Sequence, residues 1–188
     1  MNVILASLSP RRQELLRFIF DDFSIVASNC EESVPKNIFV DIIPEYLAQH
    51  KALDVANTVK TDSLVIGADT CVIYDNKVLG KPKNENDAIN TLKMLSGNVH
   101  KVITGCAIVY KGKMHSFSVE TEVEFYSLSD EEINSYIDEY KPFDKAGSYG
   151  IQDKAGLFVK QIKGDYFNVV GLPIARPNKE IEEIINAG

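Results

Sequence analysis

The most chemically loaded stretch of the chain is Ala6-Ser7-Leu8-Ser9-Pro10-Arg11-Arg12. It follows the apolar run Val3-Ile4-Leu5 and precedes Leu15, Leu16, Ile19 and Phe20 at helical spacing, which predicts strand, turn, helix. Ser9 is then the N-cap and Pro10 the first helical residue, where its missing N–H costs nothing. Arg11 and Arg12 fall in the first turn, the positive end of the helix dipole, where carboxylates are favoured over cations. Two guanidinium groups above unpaired N–H groups, with serine hydroxyls beside them, make a receptor for a multiply charged anion such as a phosphate ester. The competing reading is an ordinary helix start with both arginines in solvent.

Asp69 is the second notable residue, set between the apolar runs Ser63-Leu64-Val65-Ile66 and Cys71-Val72-Ile73-Tyr74. Aspartate suits a strand poorly and is costly to bury unless it meets a cation or metal, so Asp69 is read as functional. Glu31 and Glu32 close a predicted strand and form either a solvated loop or a carboxylate pair facing a site. Lys51, taken alone, is a snorkelling surface lysine, and Lys81 alone carries no decided role. The loop Asp144-Lys145-Ala146-Gly147-Ser148-Tyr149-Gly150-Ile151-Gln152 has two opposite charges and little apolar content to hold it. It is either merely flexible or functional.

The elements that must position these groups alternate between strand and helix. Phe23-Ser24-Ile25-Val26 reads as a strand, and a helix opens near Asp41 with Ile43, Tyr46, Leu47 and Leu53 as its apolar stripe. The strand after Asp69 turns at Asp75-Asn76 and returns through Lys77-Val78-Leu79. A helix from about Asn86 to Leu95 buries Ala88, Ile89, Leu92 and Leu95 and stops at Gly97. Two long strands, His100 to Tyr110 and Met114 to Phe125, form a hairpin about Lys111-Gly112-Lys113. The second strand alternates Val119, Thr121, Val123 and Phe125 with Glu120, Glu122 and Glu124, so one face is wet and its glutamates are a solvated row. Ser129-Asp130-Glu131-Glu132 is a capping box for a helix carrying Ile133, Tyr136 and Ile137 and ending before Pro142. Strands are expected near Leu157 to Ile162 and Phe167 to Val170, then the turn Gly171-Leu172-Pro173 and a helix from Lys179.

With 188 residues, 45% hydrophobic and 25% charged, the chain has the makings of a soluble globular protein with a real core. A net charge of −7 argues against a broad basic face for nonspecific nucleic-acid binding but allows a local basic pocket. The three cysteines, Cys30, Cys71 and Cys106, lie apart without a CxxC pair, so reduced and mostly buried thiols and a cytoplasmic location are expected. Neither a signal peptide nor a membrane span is recognisable, and three scattered histidines argue against a histidine metal site.

Five of these segments together resemble the Maf family, the septum-formation-inhibitor-like nucleotide pyrophosphatases. They are A-S-L-S-P-R-R at Ala6 to Arg12, G-A-D-T at Gly67 to Thr70, G-K-P at Gly80 to Pro82, D-K-A-G-S-Y-G-I-Q at Asp144 to Gln152, and N-V-V-G-L-P at Asn168 to Pro173. They occur in the family's order and cover nearly the whole chain. The resemblance implies an α/β fold of two lobes with a mixed sheet and a deep cleft between them, like inosine triphosphate pyrophosphatases, as one structural unit over residues 1–188 that forms homodimers.

The implied activity is hydrolysis of a nucleoside triphosphate between its α and β phosphates, with Mg²⁺ or Mn²⁺. Ser7, Arg11, Arg12, Lys51 and Lys81 match the family's phosphate-handling positions, and Glu32 and Asp69 its acidic ones. Asp69 is assigned as general base and Glu32 as metal ligand, with exchange of these roles or sharing of one metal left open; Lys51 and Lys81 complete the catalytic set. Arg12, Thr70 and Gln152 resemble the branch that prefers dTTP and UTP over 7-methyl-GTP, and the Gln152 amide offers a donor and an acceptor to a base edge. The other reading of the family is a nucleotide-sensing regulator of septum formation with weak catalysis. A P-loop kinase or GTPase is poorly supported, since no G-x-x-x-x-G-K-[ST] occurs.

Overall fold

A computed structural model describes residues 1–60 and 62–186 of the chain. The elements run β1 (Val3–Leu5), α1 (Pro10–Leu16), β2 (Ser24–Ile25), α2 (Ile43–Ala56), β3 (Leu64–Tyr74), β4 (Lys77–Leu79), α3 (Glu85–Leu95), β5 (Val99–Tyr110), β6 (Lys113–Phe125), α4 (Asp130–Tyr140), β7 (Val159–Lys163), α5 (Tyr166–Val170) and α6 (Ala175–Asn186). The seven strands form one mixed sheet in the order β2-β1-β3-β5-β6-β7, with β4 paired to β3. β1 is parallel to both β2 and β3, with Leu5 opposite Ile25 and Ile66. β4 and β7 are antiparallel to β3 and β6. The α/β class with a mixed sheet that the resemblance implies is therefore present. None of the described helices is long and apolar enough to cross a membrane.

The chain divides into two compact units. The first comprises Met1–Asp69, Thr104–Val119 and Gly171–Gly188, and the second Thr70–Ile103 and Glu120–Val170. In the first, Ile4, Ala6, Ala48, Ala52, Val55, Val65, Ala107 and Val109 form an apolar cluster. The small residues are there for a reason. A Cβ on Gly67 would lie 2.6 Å from the Ala48 carbonyl oxygen and 2.9 Å from Ala52 Cβ, so the α2 backbone rests directly on β3. A Cβ on Gly105 would strike Pro44 and Glu45 in the same way. The buried face of α2 is accordingly Pro44, Leu47, Ala48, Ala52 and Val55. This corrects the expected stripe: Leu53 is exposed, and Ile43 and Tyr46 are only half-buried.

In the second unit the core is larger and aromatic, with Leu92, Leu95, Phe125, Ile133, Tyr136, Ile137, Tyr149 and Phe158 packed together. The capping box forms as expected, Ser129 accepting the Glu132 N–H and Glu132 accepting that of Ser129. The turn at Asp75-Asn76 has positive φ at both residues, the conformation that matches strand twist in a two-residue hairpin. The glutamates of β6 do face solvent, each beside a lysine: Glu120 with Lys101, Glu122 with Lys163 and Glu124 with Lys160.

Three elements differ from expectation. Residues 167–170 belong to a helix, not a strand: the Asp165 carboxylate accepts the Phe167 N–H at 2.7 Å and starts a helical turn that the β-branched Val169 and Val170 disguise. Residues 154–158 make a tight helical turn, which delays the next strand to Val159. The last helix begins at Ala175, so Lys179 lies inside it.

Candidate active site

The strand-turn-helix corner forms as the sequence predicts, but not with the expected cap. Ser9 occupies the N-cap position without a side-chain capping bond. Instead Ser7 Oγ accepts the Ser9 N–H at 3.3 Å and takes a second hydrogen bond from Arg12 Nη1 at 3.2 Å. Arg12 Nε donates to the Gly171 carbonyl at 3.0 Å, so the guanidinium is held on two sides. Burial pushes the Arg12 pKa below its ordinary value, and the charge of Asp69 is the largest influence opposing that loss. No acidic residue lies in the first turn of α1 to neutralise Arg11 and Arg12.

β3 runs unbroken through Asp69, and Gly67 and Asp69 share one face of it because side chains alternate along a strand. α2 rests on that face at Gly67, which delivers Lys51 to the carboxylate. Lys51 Nζ lies 2.6 Å from Asp69 Oδ1 and 2.7 Å from Glu32 Oε1. The Lys51 and Asp69 side chains are each 14% exposed and Glu32 is 62% exposed, so the pair is sheltered and the third member is open to solvent. Burial works against the ammonium, yet Asp69 and Glu32 outweigh it and raise the Lys51 pKa. Lys51 is thus no simple surface lysine.

Two groups in the first unit were missed in the sequence. Asp54, one turn beyond Lys51 on α2, accepts the Ser28 hydroxyl at 3.0 Å and the Asn29 N–H at 2.7 Å, fixing the segment that leads to Glu32. Glu45 accepts from the hydroxyls of Ser116 at 2.7 Å and Ser118 at 3.0 Å, anchoring the start of α2. Both residues look like ordinary helix-surface carboxylates, and only their long-range partners reveal them. The Gly171 carbonyl was legible only as part of a turn. Cys106, fully buried, has its thiol pushed up to about 12 by burial and is unreactive; Cys71 is buried and Cys30 half-buried, all three free thiols.

The first unit therefore gathers Ser7, Arg12, Glu32, Lys51 and Asp69, with Arg11 beside Arg12 in the same helical turn. Thr70, Lys81 and Gln152 belong to the second unit. Lys81 is exposed, and the Gly80 carbonyl before it accepts the Gly147 N–H at 3.3 Å. The loop ending at Gln152 is anchored more firmly than its composition suggests: Gly147, Ser148 and Tyr149 are buried, and the Tyr149 hydroxyl lies 2.8 Å from His100 Nε2. Gln152 itself is exposed. Among the described residues no group of three or more His, Cys, Asp or Glu side chains gathers around a point, so a resident metal cage is absent from them.

The family profile described as Maf-like protein matches residues 2–184. The chain belongs to the Maf family. A dTTP/UTP pyrophosphatase of Clostridium novyi (strain NT) is 51% identical over 179 residues, covering 94% of each chain. One of Alkaliphilus oremlandii (strain OhILAs) is 52% identical over 175 residues, covering 92% of this chain and 90% of its own. A Bacillus cereus dTTP/UTP pyrophosphatase (strain ATCC 14579) is 49% identical over 181 residues, covering 96% of this chain and 94% of its own. The Staphylococcus aureus Ham1 protein has a similar fold, with a TM-score of 0.58 at 15% identity over 97% of this Maf-family chain and 99% of the Ham1 chain.

Proposed function

We propose that this chain is a nucleoside triphosphate pyrophosphatase that hydrolyses dTTP and UTP to the monophosphate and pyrophosphate. The observation that carries the reading is Lys51 Nζ held between Asp69 at 2.6 Å and Glu32 at 2.7 Å, in the unit that also places Arg12 on Ser7. Arg11, Arg12 and Lys51 against Glu32 and Asp69 leave one net positive charge, which suits a polyanion that brings its own counter-cation. The names of relatives about half identical to this chain support the substrate.

In this mechanism Asp69 orients a water and takes its proton as the water oxygen attacks the α phosphorus. The bond from that phosphorus to the bridging oxygen breaks, and pyrophosphate leaves with the bridging oxygen. Arg11, Arg12 and the Ser7 hydroxyl neutralise and position the phosphate oxygens, and Lys51, kept charged by its two carboxylates, stabilises the charge that builds up. Lys81 is assigned to the phosphates as well, and Thr70 and Gln152 to the base. Two carboxylate oxygens already converge within 2.7 Å of one cationic nitrogen, so Glu32 and Asp69 fit a hard divalent ion such as Mg²⁺ or Mn²⁺, which ordinarily completes its shell with water and phosphate oxygens. When bound, such an ion supplies positive charge against the polyphosphate. The same reading makes the protein a cytoplasmic homodimer that clears unwanted pyrimidine nucleotides.

The test is a product assay with Mg²⁺ or Mn²⁺ across dTTP, UTP, CTP and GTP. Pyrophosphate is expected first, from dTTP and UTP above the others. Orthophosphate as the first product contradicts the cleavage position, and equal turnover of GTP contradicts the pyrimidine preference.

A further inference from the structure

Among the described residues Tyr136 is the largest fully buried side chain, yet its one polar atom is spent on a short half-buried turn whose Gln152 alone is exposed. Gly150, Ile151, Gln152 and Asp153 form that turn, closed by the Asp153 N–H on the Gly150 carbonyl at 3.1 Å, with Gln152 at a central position. The Tyr136 hydroxyl grips both ends. It accepts the Gly150 N–H at 3.1 Å and donates to Asp153 Oδ2 at 3.2 Å. The Asp153 carboxylate is itself aligned, its other oxygen accepting the Ala155 N–H at 3.0 Å. The side chains of Asp153 and Lys145 close over Gly150, where a Cβ would lie 2.6 Å from Asp153 Oδ2 and 2.9 Å from Lys145 Cε.

The clasp is rigid because its carrier is rigid. Tyr136 sits on α4 with its ring stacked on Tyr140 at 5.3 Å and edge-on to Phe158 at 5.3 Å. Burial raises its phenol above the ordinary value, so the hydroxyl keeps the proton that it donates. One residue before the turn, Tyr149 is tethered to His100.

We infer that Tyr136 is a positioning residue for base selection, holding the Gly150–Asp153 turn so that Gln152 meets a uracil or thymine edge in one geometry. This rests on the reading of Gln152 given above. A glutamine amide can donate to the O4 oxygen and accept from N3–H of uracil, but turned over it also matches cytosine, whose amino group donates and whose N3 accepts. Discrimination therefore needs more than the amide: the amide must be presented at one place and in one orientation, and a turn fixed at both ends is the frame that this requires.

The experiment compares kcat and KM for UTP and CTP in wild type, Gln152→Ala, Tyr136→Phe and the double variant, with Asp153→Ala releasing the same clasp from the turn side. Tyr136→Phe keeps the ring in the core and removes only the hydroxyl. It is expected to lower the UTP-over-CTP ratio of kcat/KM about tenfold, the scale of one lost hydrogen bond, through KM with kcat retained. In the Gln152→Ala background it is expected to change the ratio no further. Asp153→Ala should shift the ratio in the same direction, and carries the test should Tyr136→Phe fail to fold. Equal losses on UTP and CTP, or effects of Tyr136→Phe and Gln152→Ala that multiply, overturn the inference. A ratio altered by Gln152→Ala but by neither clasp variant overturns it while sparing the base reading. A ratio unchanged by Gln152→Ala overturns the base reading, and the inference with it.

Discussion

The two units hold their functional groups by opposite means. In the first, Lys51 stands between two carboxylates and the half-buried Arg12 is tied to Ser7 and Gly171, so geometry depends on charges balancing one another. In the second, the loop before Gln152 rests on the Tyr149–His100 hydrogen bond and on edge-on aromatic rings, Phe125 against Tyr149 at 4.9 Å and His100 against Phe125 at 5.0 Å, while its Asp144–Lys145 ion pair joins only chain neighbours. The difference follows the chemistry assigned to each. A polyphosphate and its counter-ion demand groups that exchange partners, whereas telling one base from another demands a frame that does not move. The first unit should therefore be sensitive to charge, and the second to packing and to acid.

Arg12→Ala tests the charge side and has the largest expected effect. It removes the guanidinium from Ser7 and Gly171 and should lower kcat/KM roughly 100- to 1000-fold, the usual cost of one preorganised electrostatic contact. A loss below tenfold in steady-state assays would place the polyphosphate elsewhere.

Acid tests the packing side. Burial lowers the His100 pKa from its ordinary 6.5 to about 4, so the imidazole is neutral in the fold. Unfolded chains bind that proton more readily, so the stability His100 contributes is present above pH 6.5 and is lost as pH falls toward 4. The loss amounts to about 3 kcal/mol. Lys51 has the opposite sign: its raised pKa keeps its contribution below the ordinary lysine value, and that is lost only as pH rises through the raised one. Urea unfolding at pH 7 and pH 4 should show wild type losing about 3 kcal/mol more than His100→Gln. Equal losses would remove acid sensitivity from the second unit.

Gly67→Ala separates geometry from charge in the first unit, because it alters no ionisable group. Its Cβ has no room against Ala48 and Ala52, so α2 must lift from β3, costing about 1–3 kcal/mol of stability. Thermal unfolding should register that cost, and kcat should fall with it as Lys51 moves off Asp69. The smallest effect is expected at the β6 face: Lys160→Ala breaks a solvent-screened pair with Glu124 and should leave the urea midpoint and the thermal unfolding temperature essentially unchanged. A larger change there would mean that charge also holds the second unit together.

The parts of this molecule legible in the sequence were those written locally. Hydrophobic alternation gave β6, the Ser129 box gave the start of α4, and the oddity of arginines at a helix N-terminus marked the corner that became Ser7 and Arg12. What escaped was set by contacts distant in the chain. The buried face of α2 depends on Gly67 and Gly105 lying beneath it, and so it is lined by alanines where periodicity favoured Ile43 and Leu53. Asp165 turned a Val-rich segment into helix with a single side chain. Lys51 by spacing alone looked like any surface lysine, and the resemblance, not its own helix, put it in the catalytic set; its contacts with Asp69 and Glu32 come from two other segments, and Tyr136 looked like any core aromatic.

The central claim is that the Lys51–Asp69–Glu32 cluster performs the hydrolysis. Its most direct test is pyrophosphate release from UTP by wild type and Asp69→Asn, measured with saturating Mn²⁺ and matched for thermal unfolding. The nearly isosteric variant is predicted to stay folded and to lose about 1000-fold in kcat, since it lacks both the proton acceptor and one of the two charges facing Lys51. Retention of kcat within about threefold in a folded Asp69→Asn protein would contradict the account.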